Sequence, residues 1–189
     1  MRSKVVESEL VYSGPICRVR RVGLEMDSGE VVPRDLIELS DAVVIVPVLA
    51  DGSLVLIRNE RFAVGEELLE FPAGKLEEGE PPEACAAREL AEETGCTAGR
   101  VERLGGFYSC PGAATEYLHV FLATELTRGR QSLEGYERIR VEVVAPARLE
   151  QMIAAGELHD AKSIAAYGLW RLAHAGGGSS GPASSPEGG

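Results

Sequence analysis

The chain has 189 residues, and its 30 acidic and 19 basic side chains give a formal net charge of −11. Nucleic acids and anionic membranes are held through basic patches, so we expect neither as a partner. The sequence has no apolar run of the roughly 18 residues that span a membrane, no apolar secretory signal and no C-x-x-C pair, so we expect a cytoplasmic protein with buried thiols.

Residues 1–39 predict a small N-terminal β segment. Apolar and alternating stretches in this part of the chain suit strands, and Asp27-Ser28-Gly29 predicts a turn between two of them. About 35 residues are too few to form a hydrophobic core of their own, so we expect the segment to pack against the main body or against a second subunit. At the other end, residues 176–189 are rich in Gly, Ser and Pro and predict a disordered tail.

Residues 40–175 predict the main domain, in which strands and helices are mixed. The predicted strands lie at residues 42–49, 53–58, 68–71, 101–108, 116–124 and 139–144. The predicted helices lie at residues 83–94, 146–155 and 161–173. The Asp51-Gly52 pair predicts that the first two of these strands form a β-hairpin. This order of elements is typical of an α/β (α+β) protein with stacked layers.

The helix at residues 83–94 carries a stripe of carboxylates. Glu89, Glu92 and Glu93 stand at positions i, i+3 and i+4 and share one face. Like charges at this spacing repel, and the helix dipole disfavours anions in the last turns. Clustered carboxylates on a rigid element suit a hard divalent cation such as Mg²⁺ or Mn²⁺. A solvated acidic face is the alternative interpretation of this stripe.

The residues around this helix resemble the Nudix box, G-x5-E-x7-R-E-U-x-E-E-x-G-U. Every fixed position matches, and one aliphatic position is filled by Cys96. The matching residues are Gly74, Glu80, Arg88, Glu89, Leu90, Glu92, Glu93 and Gly95. The resemblance implies the Nudix α/β/α sandwich with a mixed sheet, preceded here by the small antiparallel β segment. It also implies hydrolysis of a nucleoside diphosphate that is linked to another moiety.

The same resemblance implies the metal site. Glu89, Glu92, Glu93 and the backbone carbonyl of Ala73 would bind two or three Mg²⁺ ions, with Mn²⁺ as an alternative. Glu80 and Arg88 would brace the box. The metal ions would bind the diphosphate and lower the pKa of the attacking water.

Downstream residues resemble the ADP-ribose pyrophosphatase subfamily. Pro111-Gly112 follows the box at the spacing of that subfamily and precedes Thr115-Glu116. The resemblance implies a homodimer with swapped N-terminal strands and a nucleotide-sugar substrate. It implies that the substrate is bound by Arg34 of the partner subunit and by Arg61, Glu70, Pro111, Gly112 and Glu116. The subfamily often has an aromatic ring near Ile16, where this chain has none.

The general base is expected in the loop before the strand at residues 139–144. We prefer Glu137 for this role because its spacing to the strand matches the subfamily better, and Glu134 is the second choice. The predicted reaction converts ADP-ribose to AMP and ribose 5-phosphate. One alternative is a Nudix hydrolase of GDP-mannose or of a UDP-sugar. Another is a non-catalytic sensor of ADP-ribose, although such modules usually lose box carboxylates that this chain keeps.

Overall fold

The computed structural model describes residues 4–133, 135 and 138–175. The N-terminal strands are β1 (Lys4–Ser13), β2 (Arg18–Glu25) and β3 (Val31–Glu38). The other strands are β4 (Ala42–Pro47), β5 (Leu54–Arg61), β6 (Glu66–Glu70), β7 (Ala73–Lys75), β8 (Cys96–Tyr108), β9 (Tyr117–Arg128) and β10 (Ile139–Val144). The helices are α1 (Pro82–Thr94), α2 (Pro146–Ala154) and α3 (Ala161–Ala175).

A four-stranded mixed sheet of order β7-β4-β9-β8 lies at the centre of the fold. β4 is parallel to β9, and the other pairs are antiparallel. Val44 and Val46 pack on one face, in a cluster that includes side chains of α2 and α3. Val43 and Ile45 pack on the other face, against α1. The central strand is therefore buried on both sides, and the α/β/α arrangement predicted from the sequence is confirmed.

The hairpin predicted between β4 and β5 was wrong. The turn closes as expected, because Gly52 N–H donates to Leu49 O and Leu49 N–H donates to Ser53 O. Beyond one bridge, between Val48 and Leu54, the strands separate. β5 joins a second sheet of order β10-β5-β6. β4 and β5 each have a neighbouring strand at both edges, so neither has a free edge for the other. Although they follow each other in the chain, they therefore lie in different sheets.

The N-terminal strands form an antiparallel sheet of order β1-β2-β3. The turn between β2 and β3 contains Gly29, whose φ of 81° is the left-handed conformation that favours glycine. β1 is exposed along its whole length, including Val5 and Leu10. This segment therefore leaves apolar surface uncovered within one chain.

The helices begin and end within two residues of their predicted bounds. Among the helices of the described ranges, none is long and apolar enough to cross a bilayer. Cys85 and Cys96 are buried, but Cys17 is half-buried and Cys110 is exposed in the loop after β8. The prediction of four buried thiols was therefore wrong for Cys17 and Cys110. The predicted tail, residues 176–189, lies outside the described residues.

Candidate active site

Helix α1 is set in place by residues at both ends and along one face. Pro82 occupies its first turn, and Gly95 ends it with a φ of 72° while its N–H donates to Ala91 O at 2.9 Å. Proline at the start and left-handed glycine at the end are the expected signals. Cys85 and Leu90 pack into the core against the central sheet. The remaining side of the helix is thereby turned toward the loop that follows β6.

The loop at β7 lies directly against the carboxylates of α1. A Cβ atom added to Gly74 would lie 1.9 Å from the Glu89 carboxyl carbon, so only glycine leaves the Glu89 carboxylate in its observed place. The neighbouring Ala73 N–H donates to Glu93 Oε2 at 2.9 Å. Ala73, Glu89 and Glu93, which the family resemblance assigns to one metal site, are therefore brought together.

Arg88 connects the carboxylates of the box. Its Nη1 donates to Glu89 Oε1 at 2.7 Å and to Glu92 Oε2 at 3.1 Å. Its Nε and Nη2 each bind one oxygen of Glu80 at 2.9 Å, and Nη2 also donates to Lys75 O. Hydrogen bonds from Arg88 and from the Glu77 backbone lower the pKa of Glu80 to about 2. Arg88 therefore connects the helix carboxylates to each other and to the loop that precedes the helix.

The donor set of the box fits a divalent cation. The guanidinium group of Arg88 lies between Glu89 and Glu92, which shows that one cation can reach both carboxylates. Carboxylate oxygens and the nearby Ala73 carbonyl are the hard ligands that Mg²⁺ and Mn²⁺ prefer. Within the described part of the chain, no three His, Cys, Asp or Glu side chains converge as a preformed metal cluster. The glutamates are turned to Arg88 and to the loop backbone instead.

A pocket of about 420 Å³ opens beside the box loop. Its lining residues are Ala42, Arg61, Ala73, Gly74, Lys75, Ser109, Glu116, Leu118, Asp160 and Lys162. Arg61, Ala73 and Glu116 thus lie in the lining of one pocket. Arg34, Pro111 and Gly112 do not line this pocket in their own chain; Arg34 lies exposed on β3 and the other two lie in the exposed loop after β8. Glu134 and Glu137 lie outside the described residues.

The floor of this pocket contains a buried ion-pair network. The Glu70 side chain is 1% exposed and forms a two-pronged pair with Arg61, from Nε to Oε1 at 2.7 Å and from Nη2 to Oε2 at 2.5 Å. Lys162 Nζ donates to the same Oε2 and to Asp160 Oδ1 at 2.9 Å. Burial raises the pKa of Glu70, but the hydrogen bond and charge of Arg61 together with the charge of Lys162 outweigh it, so the pKa is lowered.

The sequence interpretation missed four polar residues in the lining of the pocket. These are Lys75, Ser109, Asp160 and Lys162. A signal existed for one of them, because Lys162 stands in the first turn of α3, where the helix dipole disfavours a cation. A lysine in that place indicates nearby carboxylates. The sequence could not show which carboxylates these are, because Lys162 and Glu70 are 92 residues apart in the chain.

The loop after β8 is tied to the end of the N-terminal sheet. The Thr115 hydroxyl accepts from Leu39 N–H and donates to Leu39 O, both at 3.0 Å. Ile37 N–H donates to Ala113 O, and Thr115 N–H donates to Ile37 O. The loop with Pro111-Gly112 is therefore positioned by backbone that leads directly out of β3.

The network at Glu70 predicts a pH-dependent contribution to stability. Because folding lowers the pKa of Glu70 from 4.5, the unfolded chain binds more protons as the pH falls below that value. The contribution is therefore complete above about pH 4.5 and is lost as the pH falls through the folded-state pKa. The variant Glu70→Gln should lose about 3 kcal/mol of unfolding free energy at pH 7, the lower end for breaking a buried pair.

Urea denaturation from pH 7 down to pH 3 would measure this contribution. The difference between wild type and Glu70→Gln should shrink steadily below about pH 4.5. The variant Glu78→Gln, at an exposed loop position, gives the background effect of removing one carboxylate. A difference at Glu70 that stays constant to pH 3 would contradict the prediction.

Comparison with known proteins agrees with this geometry. A profile of the NUDIX domain matches residues 38–167, and the chain belongs to the Nudix family. It is a hydrolase of that family, whose members generally depend on divalent metal ions. The family resemblance of the sequence is thereby confirmed.

Two relatives and one solved structure illustrate the similarity. An ADP-ribose pyrophosphatase of Bacillus subtilis is 32% identical over 177 residues, which cover 93% of this chain and 96% of the relative. A GDP-mannose pyrophosphatase of Shigella flexneri is 35% identical over 131 residues, which cover 65% of this chain and 68% of the relative. A crystal structure of an ADP compounds hydrolase superposes with a TM-score of 0.83 at 23% identity, covering 94% of this chain and 97% of that one. The superposition shows the shared fold.

Proposed function

We propose that this protein hydrolyses the pyrophosphate bond of ADP-ribose to give AMP and ribose 5-phosphate. The observation that carries the proposal is the contact between the box carboxylates and the Ala73–Lys75 loop at the edge of a pocket with Arg61 in its lining. The similarity to an ADP-ribose pyrophosphatase over nearly the full length of both chains supports the choice of substrate.

Two groups of residues would form the site: one group would bind the metal ions and the other would bind the substrate. Glu89, Glu92, Glu93 and the Ala73 carbonyl would hold two or three Mg²⁺ ions, or Mn²⁺ ions in their place. Such ions, when bound, neutralise the diphosphate and lower the pKa of the attacking water. An acidic site needs this charge before it can accept an anionic substrate. Arg61 is suited to the diphosphate because its planar fork can bind two phosphate oxygens at once.

The substrate is further bound by residues around the pocket. Glu116 lines it directly, Glu70 holds Arg61 from below, and Pro111 and Gly112 shape the loop above it. Arg34 would enter from the partner subunit of a homodimer. The exposed apolar side chains of β1 support such an assembly, in which the N-terminal segment, residues 1–39, is exchanged between two main domains of residues 40–175. The tail, residues 176–189, takes no part in this proposal.

The proposed base accepts a proton from the attacking water. Glu137 is assigned this role, with Glu134 as the second choice, because the box carboxylates would be engaged in holding the metal ions. The variant Glu137→Gln should lower kcat by about 10²- to 10⁴-fold, the range for a general base, while Mg²⁺ and substrate still bind. Steady-state kinetics and calorimetric titration with a nonhydrolysable ADP-ribose analogue would measure both effects. The matched variant Glu134→Gln should retain most of the activity; the reverse pattern would transfer the role to Glu134.

A second candidate function is hydrolysis of GDP-mannose or a UDP-sugar. The exposed, non-aromatic Ile16 supports it, because the stacking ring of the ADP-ribose subfamily is missing there. The similarity to a GDP-mannose pyrophosphatase points in the same direction over about two thirds of the chain. A non-catalytic sensor is disfavoured by the intact set of box carboxylates.

A substrate panel tests the proposal. The full chain would be assayed with Mg²⁺ against ADP-ribose, GDP-mannose, UDP-glucose, NADH and diadenosine polyphosphates, and products would be identified by chromatography. We expect the highest kcat/KM with ADP-ribose, complete loss of activity with EDTA, and recovery on addition of Mg²⁺ or Mn²⁺. A preference for another compound of the panel would overturn the substrate and leave the family assignment intact.

A further inference from the structure

Glu70 is a carboxylate without access to water that is shared by two cations. Its side chain is 1% exposed, and its Oε2 accepts from both Arg61 and Lys162. A buried carboxylate costs several kcal/mol unless it is paired. If one cation is removed, the other must neutralise the Glu70 carboxylate alone. The two cations are therefore coupled through one anion.

The two cations differ in their exposure and in the number of carboxylates that bind them. Lys162 is 17% exposed and is also bound by Asp160, whose Oδ2 accepts from Ser163 N–H at 3.0 Å and from the Ser163 hydroxyl. Asp160 thus acts as the N-cap of α3. The Ser163 hydroxyl in turn accepts from Phe71 N–H at 2.7 Å, one residue beyond Glu70. Lys162 is fixed on a rigid helix end that is docked against the strand carrying its partner.

Arg61 is more exposed than Lys162 and faces the pocket. Its side chain is 41% exposed and lies at the end of β5, and among the described residues it pairs with Glu70 alone. An anion that enters the pocket can therefore share the guanidinium group with Glu70. Full transfer of Arg61 to a phosphate would leave Glu70 uncompensated if Arg61 were its only partner. Lys162 supplies the charge that removes this penalty.

We propose that Lys162 is a positioning residue of the substrate pocket: it is the permanent counter-charge of Glu70 and thereby leaves Arg61 able to turn to the diphosphate. The inference rests on the proposed function, since it concerns the binding of a nucleoside diphosphate at the same site. Lys162 acts through Glu70 and Arg61 and does not need to touch the reacting atoms.

A double-mutant cycle tests this role. In Lys162→Met, Glu70 keeps only Arg61, so the arginine is retained by the carboxylate and KM for ADP-ribose should rise at least tenfold, with kcat changed less than threefold. In a Glu70→Gln background there is no buried charge to compensate, so the same substitution should change KM less than threefold. The variant Arg148→Met is the matched control, since it removes an exposed cation of α2 that does not line the pocket, and it should behave as wild type.

The cycle has two outcomes that overturn the proposal. A change in KM of less than threefold in Lys162→Met would show that Arg61 does not depend on Lys162. An equal loss in both backgrounds would show that Lys162 binds the substrate directly. Thermal denaturation of each variant establishes that the folded protein is being compared.

A second measurement separates this proposal from the proposed function. The water-exchange rate of the Arg61 Nε–H proton, followed by NMR in the free protein, needs no substrate. We expect it to slow at least threefold in Lys162→Met, because Glu70 then engages Arg61 alone, and to be unaffected in Arg148→Met. An unchanged rate would overturn the role of Lys162, whereas failure of the substrate panel with a slowed rate would overturn only the activity.

Discussion

The variant Glu92→Gln should lose activity by a factor of about 10² to 10³ while its stability stays close to that of wild type. The expected loss is the scale for removal of one group that stabilises charge in the transition state. Glu92 is the most exposed of the three box glutamates for which metal binding is proposed, with 40% of its side chain accessible. Its ion pair with Arg88 is one of several that Arg88 forms. Exposed pairs at i, i+4 contribute about 0.3–0.5 kcal/mol, and relief of repulsion from its neighbours offsets part of that.

Kinetics with a Mg²⁺ titration would measure this effect together with the unfolding free energy. The apparent affinity for Mg²⁺ should fall along with kcat, because one carboxylate of the proposed metal site has been neutralised. The variant Glu83→Gln is the matched control: it removes an exposed carboxylate from the first turn of the same helix, away from the box loop. Equal activity of Glu92→Gln and Glu83→Gln would rule out the proposed use of the acidic stripe.

The acidic helix could be predicted because its information is local. Pro82 and Gly95 define its ends, and the spacing of the glutamates defines one face, so both follow from a short stretch of sequence. The structure refines this face. Glu93 is buried against Ala73 N–H, whereas Glu92 remains accessible, and their different burial depends on the loop that packs over the helix.

The partners of the strands could not be predicted, because they are set by distant parts of the chain. Asp51-Gly52 correctly predicts a turn, yet β4 pairs with β9 and β7, and β5 pairs with β10 and β6. An apolar strand that is buried on both faces has no alternation that marks its neighbours. The same limit applies to the pocket floor, where Lys162 meets Glu70 across most of the domain.

The variant Gly74→Ala should disable the site through a single added methyl group. Its Cβ would lie 1.9 Å from the Glu89 carboxyl carbon, a distance that the short loop and the packed helix cannot relax without displacing Glu89. Because the atoms it meets are the far end of the flexible Glu89 side chain, the carboxylate can move aside, and the cost should be about 1 kcal/mol, or about 2–4 °C in Tm for a domain of this size. Because Glu89 is also held by Arg88, its displacement should disturb the whole box and reduce kcat by at least about 10²-fold.

Gly168→Ala is the matched control and should change stability in the opposite direction. Gly168 lies inside α3, and a Cβ there would meet no atom within 4 Å. Alanine in a helix interior is favoured over glycine by about 0.5–1 kcal/mol, so Tm should rise and activity should stay unchanged. Thermal denaturation and steady-state kinetics of both variants distinguish the close approach at Gly74 from a general effect of replacing glycine. Wild-type activity in Gly74→Ala would show that Glu89 does not need its place against the loop, and would remove it from the proposed metal ligands.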